Sequence, residues 1–312
     1  MKMRRIFKTV EDEMIELSTL EKGSWVHLEN PTKEEIDGLN TRFSLESSYL
    51  RAALDDEESA RIEKYGNQTL IIVDVPYVEV DGDSYSYSTF PIGIVLADDI
   101  IITVTTRKTP IFTDFIEERI RDFWTFKRTR FILQLLHRNS VRFLSFLKQI
   151  DKASIFVQEK LQSSMRNREL LQMMELEKSL VYFSTSLKGN ELVLEKMMRM
   201  EMLNKYPEDT GLLEDVIIEN KQAIEMCSIY RDIMNGAMDA FASIISNNQN
   251  MVMKLLTSIT IVLSIPTLMA SVFGMNVPLP LQNNPSGFPI IIGISLVLSI
   301  ISTIIMWKKK MF

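Results

Sequence analysis

The sequence predicts an α+β cytoplasmic domain, an α/β sandwich, followed by a long helical stalk and two C-terminal transmembrane helices. Three observations predict it. From Leu255 to Trp307 no residue is charged, and Lys308, Lys309 and Lys310 follow at once. From Ile111 to Tyr206 there is no proline and a single glycine, Gly189. Before Pro110, β-branched runs alternate with turn residues, the pattern of strands and hairpins.

Residues 1–110 carry the strands. Gln68–Val80, Thr89–Leu96 and Ile100–Thr105 are bounded by Asp81-Gly82-Asp83, Asp98-Asp99 and Pro110, which are turn signals. Thr32 followed three residues later by Glu35 has the form of a capping box and starts a helix. The N-terminus, Met1-Lys2-Met3-Arg4-Arg5, is basic, but no apolar stretch follows it as a signal peptide requires.

Residues 111–254 form the stalk. Phe131, Leu135, Leu136, Phe143, Leu144, Leu147 and Ile150 recur at intervals of three and four, the spacing of an amphipathic helix. Gly189-Asn190 is expected to turn one helix into the next, and Pro207–Gly211 to break the chain again. From about Leu212 the helical pattern runs without proline to Pro266, deep in the first apolar segment. A helix continuous to Ser271 would have about 60 residues and a length of roughly 90 Å, a rod able to carry a cytoplasmic event into the membrane.

Residues 255–273 and 288–307 are the two spans, each with roughly the 20 apolar residues that cross a bilayer. The loop 274–287 has no Lys or Arg, whereas Lys254 precedes the first span and the tail 308–312 carries Lys308, Lys309 and Lys310. By the positive-inside rule both termini lie in the cytoplasm and the protein is a multi-pass protein of the plasma (inner) membrane. Two spans cannot enclose an ion pathway within one chain, so a pore needs several copies around an axis.

Charge and composition narrow the function. Without the three tail lysines, 32 Lys and Arg stand against 41 Asp and Glu, a net charge of −9 for the cytoplasmic part. That sign disfavours nucleic acid and favours cations as partners. Cys227, the single cysteine, cannot form an internal disulfide and reads as a small core residue. His27 and His137 lack metal-ligand spacing and read as structural. Met197, Met198, Met200 and Met202 read as helix packing, and Arg119, Arg121, Lys127, Arg128 and Arg130 as a solvated helix face. No Gly-rich phosphate loop, nucleophile–base pair or Cys/His cluster is present, so an enzyme is not expected.

The first span carries a polar stripe. Thr260, Ser264, Thr267 and Ser271 fall on one helical face. The same spacing continued toward the cytoplasm reaches Leu256, Met253 and Asn250. One reading is a water-lined pore face closed at its inner end by an apolar ring. The other is that small hydroxyl residues help helices pack in lipid. Ser295, Ser299 and Ser302 make a similar stripe in the second span, and taken alone the two readings stand level.

The tripeptide Gly274-Met275-Asn276 shifts that balance. Phe273-Gly274-Met275-Asn276, set between two C-terminal spans and followed by a basic tail, resembles the signature of the CorA magnesium channel family. Lys254-Leu255-Leu256-Thr257 is similar to the family's entry into its first span, and the resemblance covers the whole architecture.

It implies a homopentameric funnel whose first span lines the pore. Asn276 would then form a ring of five carbonyls at the outer mouth, with Gly274 and Met275 completing the selectivity filter. Mg²⁺ sheds water reluctantly, and a neutral amide ring can accept hydrogen bonds from the ion's bound waters without stripping them. Gly274 would allow a turn that a Cβ hinders. The resemblance also implies an intracellular regulatory site, with Mg²⁺ as both cargo and regulator. There Asp215 matches a position that pairs with an acid of the neighbouring subunit, for which Asp81 or Asp83 is the nearest counterpart.

Two departures stand out. Phe273 replaces a frequent tyrosine, and the loop from Val277 to Phe288 has no acid, so cation capture rests on neutral dipoles. Co²⁺, Ni²⁺ or Zn²⁺ transport, in either direction, is the nearest alternative; the family's zinc branch usually alters the middle residue of the tripeptide. A membrane-anchored signalling or scaffold protein would explain the spans and stalk but not the tripeptide.

Overall fold

The computed structural model describes residues 4–81, 84–164, 167–200, 208–277, 279–280 and 285–309. It divides into two compact units, Met1–Gly236 and Ala237–Phe312.

The first unit is built on a seven-stranded mixed sheet in the order β2-β1-β3-β7-β6-β5-β4. The strands are β1 (Arg4–Val10), β2 (Glu13–Glu16), β3 (Trp25–Glu29), β4 (Arg61–Tyr65), β5 (Gln68–Asp81), β6 (Ser84–Ala97) and β7 (Ile100–Thr105). Among the described residues only β3 and β7 pair in parallel. Alternation along the strands divides the core in two. Trp25, Ile71, Val73, Phe90, Ile92 and Ile101 point to one face, and Val26, Leu28, Leu70, Ile72, Val95 and Ile102 to the other. Because both faces are covered, the central strands read as unbroken β-branched runs rather than as apolar–polar alternation.

Helices α1 (Lys33–Phe43) and α2 (Tyr49–Ala52) cover the second face. The capping box expected at Thr32 is formed: Thr32 accepts from the Glu35 N–H, and the Glu35 carboxylate accepts from the Thr32 N–H. Such a cap stabilises a helix by about 1 kcal/mol.

The first face carries α3 (Pro110–Ile116), α4 (Arg128–Ser164) and α5 (Asn167–Met198). Helix does not run unbroken from Ile111. Residues 117–127 form turns, in which Glu118 and Asp122 take positive φ. Arg119 and Arg121 therefore lie off any helix. Arg119 pairs with Asp114 at 3.3 Å, Lys127 caps the Trp124 ring at 3.7 Å, and Arg130 on α4 reaches Asp209 at 3.4 Å. The five residues therefore do not share one helix face, although Arg119, Arg121 and Lys127 are exposed as expected.

The turn expected at Gly189-Asn190 is also absent, since α5 passes straight through both residues. A Cβ on Gly189 would stand 3.2 Å from the Cβ of Ala60, so glycine lets α5 lie close against the chain entering β4. Asn190 is buried and bonds to the backbone of Asp74 on β5.

Helix α6 (Glu208–Phe273) has 66 residues and contains Pro266. It starts at Glu208, earlier than the Leu212 expected. In the first unit Asp209, Leu213, Val216, Asn220, Ala223, Cys227 and Met234 are its buried positions, a 3-4 repeat facing the rest of the unit. Asn220 Nδ2 donates to the Leu187 carbonyl at 3.1 Å and Cys227 Sγ to the Leu180 carbonyl at 2.9 Å, so this stretch runs antiparallel to α5. Burial pushes the Cys227 thiol up to about 11, which makes it an inert core residue at neutral pH. His27 is likewise structural: it is buried, its Nδ1 lies 2.9 Å from Thr103 Oγ1, and its ring packs 4.6 Å from that of Phe112. Met197 is buried in the core while Met198 is exposed; Met202 lies outside the described residues.

The second unit holds the end of α6 and all of α7 (Gly287–Lys308). Both helices are long and apolar enough to cross a membrane.

Candidate ion pathway and regulatory positions

The geometry of the second unit separates the two polar stripes. On α6, the residues least exposed within the spanning segment are Ser258, Val262, Ile265, Met269 and Phe273. On α7 they are Gly287, Ile291, Ser295, Ser299, Ser302 and Met306. These faces look at each other: Met269, Phe273, Ile291 and Ser295 line a shared crevice of about 730 Å³. The α7 serines are thus helix-packing residues, and the buried hydroxyl oxygens of Ser295 and Ser299 have no hydrogen-bond partner among the described residues.

The α6 stripe lies elsewhere. Thr260, Ser264, Thr267 and Ser271 are each displaced two residues from the packed face, about 200° around the helix at 100° per residue. All four are exposed, as are Asn250, Met253 and Leu256. So α7 covers one side of α6 and leaves the polar stripe open on the other.

The hydroxyls on that open side are oriented. Thr260 Oγ1 donates to the Leu256 carbonyl at 2.8 Å, Ser264 Oγ to Ile261 at 2.8 Å and Thr267 Oγ1 to Leu263 at 3.0 Å. A hydroxyl has one proton. With that proton held by the helix backbone, the oxygen presents only lone pairs outward, the polarity that the water shell of a cation requires.

At its C-terminal end, α6 closes on the tripeptide. The Gly274 N–H donates to the Ala270 carbonyl at 2.9 Å, and the Met275 N–H to Val272 at 3.4 Å. Gly274 does not have the positive φ of a left-handed turn. Its lack of a side chain matters differently: a Cβ would stand 3.0 Å from the Ala270 oxygen. Met275 and Asn276 are exposed, and the Asn276 amide has no hydrogen-bond partner among the described residues. Its carbonyl is available as an acceptor.

The acids expected to regulate lie on separate elements, Asp215 on α6 and Asp81 at the end of β5. Asp215 is exposed on α6 between the buried Leu213 and Val216. The helix begins seven residues earlier, so Asp215 is not a first-turn acid acting on the helix dipole. Asp209 lies in that turn and pairs with Arg130. Asp81 ends β5, opposite Ser84 in the hairpin register. Asp83 and Lys310 lie outside the described residues. Among the described residues, no three His, Cys, Asp or Glu side chains come together to hold a metal ion. Lys308 closes α7 and Lys309 caps it.

Residues 21–310 match the sequence model of the CorA-like Mg²⁺ transporter protein family. The chain belongs to the CorA family. It is 26% identical over 287 residues to the cobalt/magnesium transport protein CorA of Methanocaldococcus jannaschii, covering 89% of this chain and 87% of that one. It is 21% identical over 313 residues to the protein of that name from Thermotoga maritima, covering 98% and 88%. The fold superposes on the complete structure of the CorA magnesium transporter from M. jannaschii with a TM-score of 0.84 at 23% identity, over 98% of this chain and 97% of that one. The CorA architecture of N-terminal α/β domain, long helix and two closing apolar helices is therefore this chain's own, and its class of activity is divalent cation transport across a membrane.

Proposed function

We propose that five copies of this chain form a channel through which Mg²⁺ enters the cell down its electrochemical gradient. The observation that carries this reading is the placement of the Gly274-Met275-Asn276 tripeptide at the end of a polar α6 face that α7 leaves open. In a ring of copies, that face turns inward and α7 outward to lipid. The oriented hydroxyls of Thr260, Ser264 and Thr267 then line a wet path, and Asn276 offers a carbonyl to a hydrated ion at its mouth. Met253 and Leu256 form the apolar constriction at the inner end. The membrane potential contributes about 2.3 kcal/mol per charge per 100 mV, and a divalent ion carries two charges, so inward flux needs no ATP. Both termini lie on the cytoplasmic side, as the lysine distribution supports.

Internal Mg²⁺ closes the channel through Asp215. One exposed carboxylate is too few oxygens for a divalent ion, but it fits as half of a site that an acid of a neighbouring copy completes, with Asp81 or Asp83 as the counterpart. Co²⁺ is a second cargo, supported by the relatives named cobalt/magnesium transport proteins.

The deciding experiment is ion uptake into proteoliposomes of the wild-type and Asn276→Ala proteins, with Mg²⁺, Co²⁺, Ni²⁺ and Zn²⁺ offered separately. Mg²⁺ uptake that is lost in a well-inserted Asn276→Ala protein supports the reading. Undiminished uptake by that variant overturns it.

A further inference from the structure

A second crevice separates the two spanning helices toward the lysine end of α7. It has a volume of about 540 Å³ and is lined by Ile265, Met269, Leu298, Ile301 and Ile305, with Lys309 at its rim. That volume is within the roughly 300–1,000 Å³ of ligand pockets. Leu298, Ile301 and Ile305 are exposed, so the apolar floor is continuous with the surface that meets the bilayer. Lys309 has no carboxylate partner among the described residues.

We infer that this crevice seats one acyl chain of a phospholipid whose anionic headgroup pairs with Lys309. The two halves of the site impose the choice. The apolar floor excludes free phosphate, which has no chain to bury. The lysine rim disfavours a second copy's span, because residues 255–307 carry no acid anywhere to meet it. An anionic phospholipid supplies both, an aliphatic chain for the floor and a phosphate without a compensating ammonium for the rim. Basic pockets between spanning helices bind such headgroups by this combination. The inference requires only that both helices span the membrane, and not that the transported ion is Mg²⁺.

The test is lipid retention by the full-length protein, read by native mass spectrometry after exchange into mixed phosphatidylglycerol and phosphatidylcholine with identical chains. Phosphatidylglycerol should be retained preferentially. Lys309→Gln should reduce that preference about fivefold, the effect of one lysine near an anionic surface, while Lys309→Arg keeps it. Ile301→Trp fills the crevice with the lysine intact and should lower retention of both lipids, with helicity and oligomeric size checked to exclude misfolding. Three results would each overturn the inference. Equal retention of the two lipids removes the headgroup contact. Unchanged retention in Ile301→Trp shows that the tail lysines act without the crevice. A change of oligomeric state in Ile301→Trp with unchanged lipid shows that a second copy fills it.

Discussion

The side-chain amide of Asn190 pairs with the backbone of Asp74 in both directions. Its Oδ1 accepts the Asp74 N–H at 2.9 Å, and its Nδ2 donates to the Asp74 carbonyl at 2.9 Å. Asn139 on α4 donates to the same carbonyl at 2.7 Å. The pairing of β4 with β5 ends at Ile72, and across β6 Asp74 stands opposite Pro91, which has no N–H. Two helices thus complete, with side-chain amides, a sheet edge that no strand completes.

Asn190→Ala should destabilise the protein by about 1–3 kcal/mol, the cost of leaving a buried backbone group unsatisfied. Asn139 still serves the carbonyl in that variant, so the loss falls on the N–H. Asn190→Asp keeps the acceptor but removes the donor, and it sets a carboxylate beside the Asp74 carbonyl; it should be worse than alanine. Denaturant melts of the three proteins in one detergent measure the order.

Met253 and Leu256 are the apolar steps of an otherwise polar α6 face. Replacing both with Ser should raise basal flux and make it insensitive to internal Mg²⁺, because a wet constriction does not close by dewetting. Proteoliposomes loaded with and without Mg²⁺ make the comparison. An unchanged closed-state leak would place the gate elsewhere on the helix.

Asp215 offers a contrast between charge and ligand. Millimolar Mg²⁺ should raise the melting temperature of the wild-type protein and slow its proteolysis, since a ligand bound only by the assembled state stabilises it by mass action. Asp215→Lys should give much of that protection without the ion, by placing a tethered cation at the interface. Asp215→Ala should weaken the response to Mg²⁺ instead. If both variants respond as wild type does, the sensor lies at other acids.

His27 sets an acid limit. Burial, with a smaller contribution from the Arg5 charge, lowers its pKa from 6.5 to about 3. The folded state therefore holds His27 neutral where the unfolded chain takes up a proton. The associated stability is fully present above pH 6.5 and is lost as pH falls toward 3, by about 1.4 kcal/mol per pH unit. His27→Gln should flatten that part of the stability–pH curve while changing little at pH 8.

The legible parts of this chain were those written in local chemistry. The charge-free run to Trp307, the Thr32–Glu35 capping pair and the β-branched runs of β5, β6 and β7 each announce their structure within a few residues. The short strands β1 to β4 do not, because each has only four to seven residues and β1, β2 and β4 carry charged residues through the run; β3 in addition finds its partner β7 far along the chain. Gly189-Asn190 misleads for the same reason. A Gly-Asn pair is a turn signal by itself, and only Ala60 and Asp74, more than a hundred residues away, explain why both sit inside a helix. The break at residues 117–127 escapes because non-glycine residues supply its left-handed turns. The polar stripes of the two spans were visible but equivalent in sequence; what separates them is which face each helix packs, and that is a property of the pair. The counterpart proposed for Asp215 belongs to a second copy, so the folded chain by itself cannot display it.

Pro266 divides α6 mechanically. It has no N–H, so the Val262 carbonyl lacks its rung in the helical ladder, and the cost of bending there falls. Met253 and Leu256 lie on one side of this soft joint, Gly274-Met275-Asn276 on the other. A tilt or twist imposed at the Met253 end can therefore be absorbed at residues 262–266 before it reaches the tripeptide. If Asn276 forms the proposed ring and Met253 and Leu256 the proposed constriction, the ring can keep its diameter while the constriction opens and shuts, and discrimination between ions then does not vary with the conducting state.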